Sequence, residues 1–379
     1  MPSKPSVIWM TNSLGYSGNL MYWEPILFQY AKYFPGTEIY TSEPIQDVKI
    51  PGLNFFSSIP RIQIGRGRFK INIPSAIAVL GILRKKPRVI VTSEFGPLSL
   101  ISSFYCRYSK DSRLLLLIEG DPSFLKFNGV NRTSRITQLV RKYIANGAYR
   151  ALCNNKSAEN YAINSLNIKR ERLIAGCYLT STFEKTTTHT DEIGIEDKLV
   201  RFLFVGQVSL AKGVHHLLNA ISKIRSEFEG NASLTIVGTG PDYEHILRQS
   251  LDLKLQGIVT FVGRIPYREL GALYHNADIL INPSLGDYRA LVGFEAISSG
   301  LAIIGSVFDG ASTEVIAEGE NGFIIDPKNE KLMAARILSF LQDQSLLHRF
   351  KLQSLSRSKM YRVEMAVENL KYATHVCMT

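Results

Sequence analysis

Short apolar runs that alternate with helix-period segments constrain this 379-residue chain more than any other feature. In the second half the runs are Arg201–Val205, Ser233–Val237, Val259–Val262, Ile279–Ile281 and Ala302–Gly305. Helical segments Val214–Phe228, Tyr243–Gln249, Arg268–His275 and Leu291–Ser299 lie between them. In the first half Ser6–Met10, Arg88–Thr92 and Leu114–Ile118 read as strands. A Gly/Ser-rich loop (Asn12 to Asn19) leads there into a helix over Leu20–Tyr33. Apolar strands joined through helices imply a parallel sheet covered on both faces. The pattern restarts after the polar stretch Thr186–Lys198, and domains of ~100–200 residues suit a chain of this length. The expectation is therefore α/β, with two doubly wound domains over residues 1–190 and 191–355. Residues 356–379 form a closing segment, helix-periodic over Lys359–His375. Ligands of such folds sit beyond the carboxyl ends of strands, here in a cleft between the domains.

Charge separates the halves. Residues 1–190 carry 25 basic and 11 acidic side chains, whereas residues 191–379 carry 19 and 22. At 45% hydrophobic and 20% charged, the chain is not a disordered one. The four cysteines (Cys106, Cys153, Cys177 and Cys377) form no CxxC pair and match no zinc spacing. They read as free thiols of a reducing compartment. The N-terminus has a four-residue apolar run, Val7 to Met10, against the ~7–15 residues of a signal peptide. No stretch approaches the ~20 apolar residues of a spanning helix. A cytoplasmic location is expected.

The chemistry concentrates in the second half. Phe204-Val205-Gly206-Gln207 ends a strand, and Lys212-Gly213 follows. Val237-Gly238-Thr239-Gly240 and Phe261-Val262-Gly263-Arg264 repeat the strand–glycine theme. Glycine at a strand end lets a ligand approach the backbone, and a lysine at the next helix start supplies charge for a phosphate. Then comes Asp287-Tyr-Arg-Ala-Leu-Val-Gly-Phe-Glu295, a D-x7-E segment that opens a helix. Eight residues is a little over two turns, so spacing alone does not put both acids on one face. With Asp287 in the loop and Glu295 in the helix, both could reach one site. The amides of Ala290, Leu291 and Val292 would lie at the helix start, where anions bind. Taken alone, the pair reads equally as a cap plus a solvated acid.

As an ordered set these segments resemble the donor domain of the retaining GT-B glycosyltransferases of family 4. The set runs FVGQ…KG, IVGTGP, VTFVGRI, Tyr274-His-Asn-Ala-Asp278, INPS, D-x7-E and Glu314…Gly319…Asn321-Gly322, over about residues 200–345. The resemblance implies a GT-B fold of two Rossmann-like domains facing across a cleft, with the helix of residues 356–379 crossing back to the first domain. It also implies transfer of a sugar from a nucleoside-diphosphate sugar, UDP being the commoner nucleotide. Asp287 would sit near the donor sugar and Glu295 would hold the ribose. Gln207 and Lys212 fall where the family binds phosphate, and Arg264 and Ile265 fall near the base. The loop with Gly15 and Gly18 would approach the diphosphate from the first domain. No metal or other cofactor is implied, and the chain has no DxD triplet. Asp287 stands where Glu is usual, and Gln207 where Arg is usual. Arg289, inside the motif, is a candidate to restore that charge. All seven histidines lie at or after His189, so the family's first-domain histidine has no counterpart.

The first half speaks to the acceptor. No acid lies between Asp47 and Glu94, but nine basic residues do: Lys49, Arg61, Arg66, Arg68, Lys70, Arg84, Lys85, Lys86 and Arg88. Asp121 to Glu159 is a second acid-free run, with Lys126, Arg132, Arg135, Arg141, Lys142, Arg150 and Lys156. Apolar residues interleave, which suits a surface that docks on anionic lipid. No nucleic-acid motif is present. The reading is a peripheral enzyme of the inner membrane face, acting on a lipid-linked or membrane-proximal glycan. Glu94, Glu119 and Asp121, each after a strand, are candidate acceptor contacts. Two alternatives stand beside it: a nucleotide-sugar epimerase, and a catalytically silent subunit that binds nucleotide and recruits a transferase.

Overall fold

The computed structural model describes residues 6–11, 20–41, 50, 52–53, 55–64, 71–93, 95–123, 134–183 and 199–379. Gly15, Gly18, Glu94 and the boundary stretch Thr186–Lys198 lie outside them. So do Lys49, Arg66, Arg68, Lys70, Lys126 and Arg132 of the basic runs. The chain forms two compact units. Unit 1 takes Met1–Asp121, Arg132–Thr180 and Val363–Thr379, and unit 2 takes Pro122–Asn131 and Ser181–Arg362.

Unit 1 has strands β1 (Val7–Thr11), β2 (Glu38–Thr41), β3 (Phe55–Ser58), β4 (Arg61–Ile64), β5 (Ile71–Pro74), β6 (Val89–Ser93), β7 (Arg113–Ile118), β8 (Arg150–Cys153) and β9 (Leu173–Ala175). Its helices are α1 (Leu20–Tyr33), α2 (Ala76–Leu83), α3 (Pro97–Tyr108), α4 (Arg135–Gly147) and α5 (Lys156–Asn164). Seven strands form a parallel sheet in the order β3-β2-β1-β6-β7-β8-β9, and β4 and β5 form a separate antiparallel pair. Strand side chains alternate between the faces. Ile8, Met10, Ile90, Leu114 and Leu116 therefore share a core with Val79 of α2, Leu98 of α3, Ile144 of α4 and Tyr161 of α5.

Unit 2 runs β10 (Val200–Val205), α6 (Val214–Ser222), α7 (Arg225–Phe228), β11 (Ala232–Val237), α8 (Tyr243–Asp252), β12 (Val259–Gly263), α9 (Tyr267–His275), β13 (Ile279–Ile281), α10 (Val292–Ser298), β14 (Ala302–Ser306), α11 (Ser312–Val315), β15 (Gly322–Ile325), α12 (Glu330–Gln342) and α13 (Gln344–Ser358). Its six strands are all parallel, in the order β12-β11-β10-β13-β14-β15. Phe202, Phe204 and Ile281 pack on one face with Leu217, Ile337 and Phe350. Leu203, Leu280 and Ile303 pack on the other with Tyr274 and Phe294. Strand order reverses between β10 and β13, which opens a crevice at their carboxyl ends.

The last helix, α14 (Val363–Met378), belongs to unit 1. It packs on α1, where Tyr30 Oη and Thr374 Oγ1 lie 2.8 Å apart and the Phe34 and His375 rings are 5.4 Å apart. Tyr30 in turn meets Trp9 edge-on at 5.5 Å, and Trp23 meets Trp9 in the same way. Each such side chain contributes ~1.5–3 kcal/mol by leaving water. Both tryptophans of the chain are in this layer, and both are buried. Deleting 363–379 is expected to shift tryptophan emission to longer wavelength and to lower the denaturant midpoint read by that emission. Unchanged emission would show that α14 does not support unit 1.

Candidate functional site

The crevice between β10 and β13 is built by glycines that let loops touch. Gly213 has φ +70°, and a Cβ there would lie 1.9 Å from the Pro283 carbonyl oxygen. The turn after β10 can therefore press on the loop after β13, and Leu285 N–H donates to the Ala211 carbonyl at 2.8 Å. Gly238 has φ +130°, and its Cβ would strike the Gly206 carbonyl oxygen, also at 1.9 Å. No other residue fits at these two positions. The outcome is chemical: Lys212, just before Gly213, forms an ion pair with Asp287 in the β13–α10 loop. Both side chains are half-buried, so the pair is less screened than a surface one.

Asp287 is fixed by its backbone. Its N–H donates to the Phe308 carbonyl and its carbonyl accepts from Gly310 N–H, each at 3.1 Å. Asp309, between them, is buried. Its Oδ1 accepts from the amides of Ala290 (3.1 Å) and Ala311 (3.0 Å), and its Oδ2 accepts from Asn282 Nδ2 at 2.9 Å. One carboxylate thus ties the loops after β13 and β14 together. Burial, and then the negative Asp287, push its carboxyl up to about 7, against the two amides and Lys212.

Glu295 has different surroundings. It is 1% exposed. Its Oε1 accepts from Ser181 Oγ at 2.8 Å and its Oε2 from Tyr274 Oη at 2.7 Å. Tyr267 Oη and Ser181 Oγ are 2.7 Å apart. Burial raises the Glu295 carboxyl, and the hydroxyls oppose that rise. Glu295 thus anchors α10 within unit 2, while Asp287 stands in the crevice.

The other sequence candidates fall into place around this frame. Gln207 and Arg264 are exposed at the ends of β10 and β12, and Ile265 is half-buried. Gly206 N–H donates to the Val237 carbonyl, and Gly238 N–H to the Gly263 carbonyl. Of the three amides at the start of α10, that of Ala290 is directed at Asp309. Arg289 does not supply the charge absent at Gln207. Its side chain is fully buried, forks onto Glu314 (2.9 and 2.8 Å), and lies 4.1 Å over the Phe294 ring. Glu119 and Asp121 are half-buried after β7 in unit 1. Asp309, Ser181 and Tyr267 are site residues that sequence reasoning misses, while Asn282 and Tyr274 stand in segments of the resemblance with no role assigned to them. Asp309 and Asn282 follow strands, so the strand-end rule could have found them. Ser181 and Tyr267 carry no local signal.

Residues 185–356 match the family model of the glycosyl transferases group 1. The match covers 172 of the 379 residues, a little under half of the chain. Glycogen synthase of Mycobacterium tuberculosis is 31% identical over 147 residues, 39% of this chain and 35% of that protein. Poly(glycerol-phosphate) alpha-glucosyltransferase of Bacillus subtilis is 24% identical over 181 residues, 48% of this chain and 26% of that one. The chain therefore spans about a third or less of these two relatives. Anabaena HepE in complex with UDP aligns with a TM-score of 0.75 at 14% identity, over 98% of this chain and 100% of that one. The fold is GT-B.

The buried acid gives a pH test. A folded pKa above the unfolded value means that the fold favours protonated Asp309, so its contribution is present at low pH and lost as pH rises from about 4 to about 7. His215, lowered to about 4 by burial and then by His216, slopes the other way over part of that range. The difference between Asp309→Asn and the parent isolates the acid. The side-chain amide of that variant retains an oxygen for the two backbone amides, so its stability relative to the parent should climb between pH 5 and pH 8. Urea midpoints that keep a constant difference across that range would contradict the assignment.

Proposed function

We propose that the chain transfers a sugar, with retention, from a UDP-sugar to a lipid-linked or membrane-proximal glycan during surface polysaccharide or glycolipid synthesis. The observation that carries this reading is the Lys212–Asp287 pair at the switch point of the unit 2 sheet. A diphosphate entering there competes with Asp287 for Lys212. As Lys212 turns to phosphate, Asp287 is released to accept hydroxyls of the donor sugar. Departure and attack then occur on one face, and the leaving phosphate takes the proton of the acceptor hydroxyl. Lys212 stabilises the charge that develops on that phosphate, a role whose removal commonly costs ~10²–10³ in rate. No step calls for a metal. The UDP complex of the structural neighbour and the glucosyl-transferring relative support the donor class.

The membrane part of the reading rests on unit 1. Ile77 is 85% exposed on α2, with Leu80 also exposed. Phe104 and Tyr108 on α3, and Ile136 and Leu139 on α4, are exposed as well. Arg84, Arg107 and Arg135 are exposed on or beside the same helices. Each cation near an anionic surface contributes ~1 kcal/mol. Among the described residues no helix is long and apolar enough to cross a membrane, so contact would be peripheral.

A second reading, nucleotide binding without turnover, draws on the Arg289–Glu314 fork and on the neutral Gln207. One titration separates the two. Calorimetry should give micromolar UDP binding, weakened at least tenfold (~1.4 kcal/mol) by Lys212→Ala. Glu295→Gln, which retains an acceptor for the two hydroxyls, tests whether the second acid reaches the ribose. Binding of neither UDP nor GDP defeats the donor site; binding with no UDP released from UDP-glucose favours the silent subunit. Vesicles of phosphatidylglycerol should sediment the protein at ~0.1 M salt, and Ile77→Ser with Leu80→Ser should release it. Indifference to such vesicles defeats the membrane part.

A further inference from the structure

The opposite edge of the unit 1 sheet holds a feature that the donor reading leaves unused. Strands β6, β7, β8 and β9 are neighbours and parallel, so their first residues share one edge. Arg88 precedes β6, Arg113 and Arg150 begin β7 and β8, and Arg172 precedes β9. Strands lie ~4.8 Å apart, so four arginines line about 15 Å of one edge. Lys86 and Lys110 join them. A cavity of about 360 Å³ is lined by Lys110, Arg113, Arg150 and Arg172, and one of about 430 Å³ by Lys86, Arg88, Lys110 and Arg113.

The geometry of the guanidiniums is set without acids. Arg113 and Arg150 lie over the ring of Tyr149 at 4.2 and 4.6 Å. Arg172 donates to the Asn146 carbonyl at 3.1 Å, and Arg113 to the Cys377 carbonyl at 3.4 Å. Among the described residues none of these six cations forms an ion pair. Helix C-termini do end nearby, and caps are one use for arginine there. Four of them, those of α2, α3, α4 and α14, contribute about half a negative charge each. Asp111, which lines the larger cavity, adds one more. Glu171 is beside Lys169 at 3.9 Å. With Glu171, which also acts on Arg172, roughly four negative charges thus face six positive ones, and the surplus has no ion-pair partner among the described residues. Arg172 registers it: burial, then Arg150 and Arg107, lower its affinity for its own proton.

We infer that this edge is a second anion site, which takes a ligand bearing two or more phosphate charges. Guanidiniums held by stacking and by carbonyls keep free N–H forks, which match phosphate oxygens two at a time. The cavities are of the size that small-molecule sites have, ~300–1,000 Å³. The ligand is a free phosphate ester or polyphosphate, or the same group on a lipid head. The inference is independent of the proposed transferase activity.

The test uses the full chain with Lys212→Ala, so that binding in the unit 2 crevice is weakened. Calorimetry with inorganic tripolyphosphate should show a site there, weakened at least tenfold by Lys86→Glu with Lys110→Glu, two exposed positions that do not support the core. Arg150→Lys should retain more affinity than Arg150→Gln. Vesicles containing phosphatidylinositol 4-phosphate give the lipid source: if they bind and tripolyphosphate does not, and the same lysine pair abolishes it, the head group is the ligand. The inference is overturned if neither probe binds the Lys212→Ala protein. It is also overturned if Lys328→Glu with Lys331→Glu, on unit 2, weakens binding as much as the Lys86 and Lys110 pair does.

Discussion

The Lys212–Asp287 pair is the contact on which the rest of unit 2 converges. It exists because two strands that are far apart in sequence become neighbours where the sheet order reverses. It also needs a turn that only glycine can make, at Gly213 against the Pro283 carbonyl. A side chain there would push the Lys212 turn from the Asp287 loop and separate the charges. The pair is not a stability device in the first place. A half-buried ion pair gives back most of its attraction as desolvation. Its worth lies in holding a cation and a carboxylate ready, each of which a diphosphate sugar can use.

Behind that pair stand two buried acids. Asp309 and Glu295 each accept two or more hydrogen bonds inside the fold. A buried carboxylate without partners would be costly, so the donors around it are as necessary as the acid itself. Asp309 joins loops from two strands, and Glu295 joins α10 to Ser181 and α9. Together they make the loop that carries Asp287 a rigid part of the unit. That matters for catalysis by positioning, where a small displacement of a charged group costs much of its effect.

Much of this was legible in the sequence, and the reasons are physical. Strands such as Ile279–Ile281 are buried on both faces, so they read as continuous apolar runs. The glycines after β10 and β11 and at the end of β12 are at positions where the backbone admits little else, so they punctuate the pattern. Lys212 and Asp287 could be named because a strand end is where a doubly wound sheet places its ligands. Arg289 shows where that reasoning stops. Its position inside the motif suggested a phosphate contact, but its partner, Glu314, is 25 residues away in sequence. Local spacing cannot reveal a contact made by β14 and α11. Ser181, which meets Glu295 across 114 residues, was hidden for the same reason. Unit 1 is legible as alternation, but β2 to β5, β8 and β9 are not, because runs of three or four residues fall below what periodicity resolves.

The charge asymmetry of the chain acquires a structural meaning from these positions. A parallel sheet has two unlike edges. Helix N-termini gather at the carboxyl ends of strands and favour anions, whereas helix C-termini gather at the other edge and disfavour them. An anion site at the carboxyl ends therefore needs few cations, and in unit 2 Lys212 stands beside amides and an acid. A site at the opposite edge must overcome the dipoles, which demands a surplus of fixed positive charge. Arginines at the starts of four adjacent strands provide such a surplus, and with Lys86 and Lys110 they make up six of the 25 basic side chains of residues 1–190. Composition alone could report the excess, but only the register of β6 to β9 shows that part of it is gathered along one line.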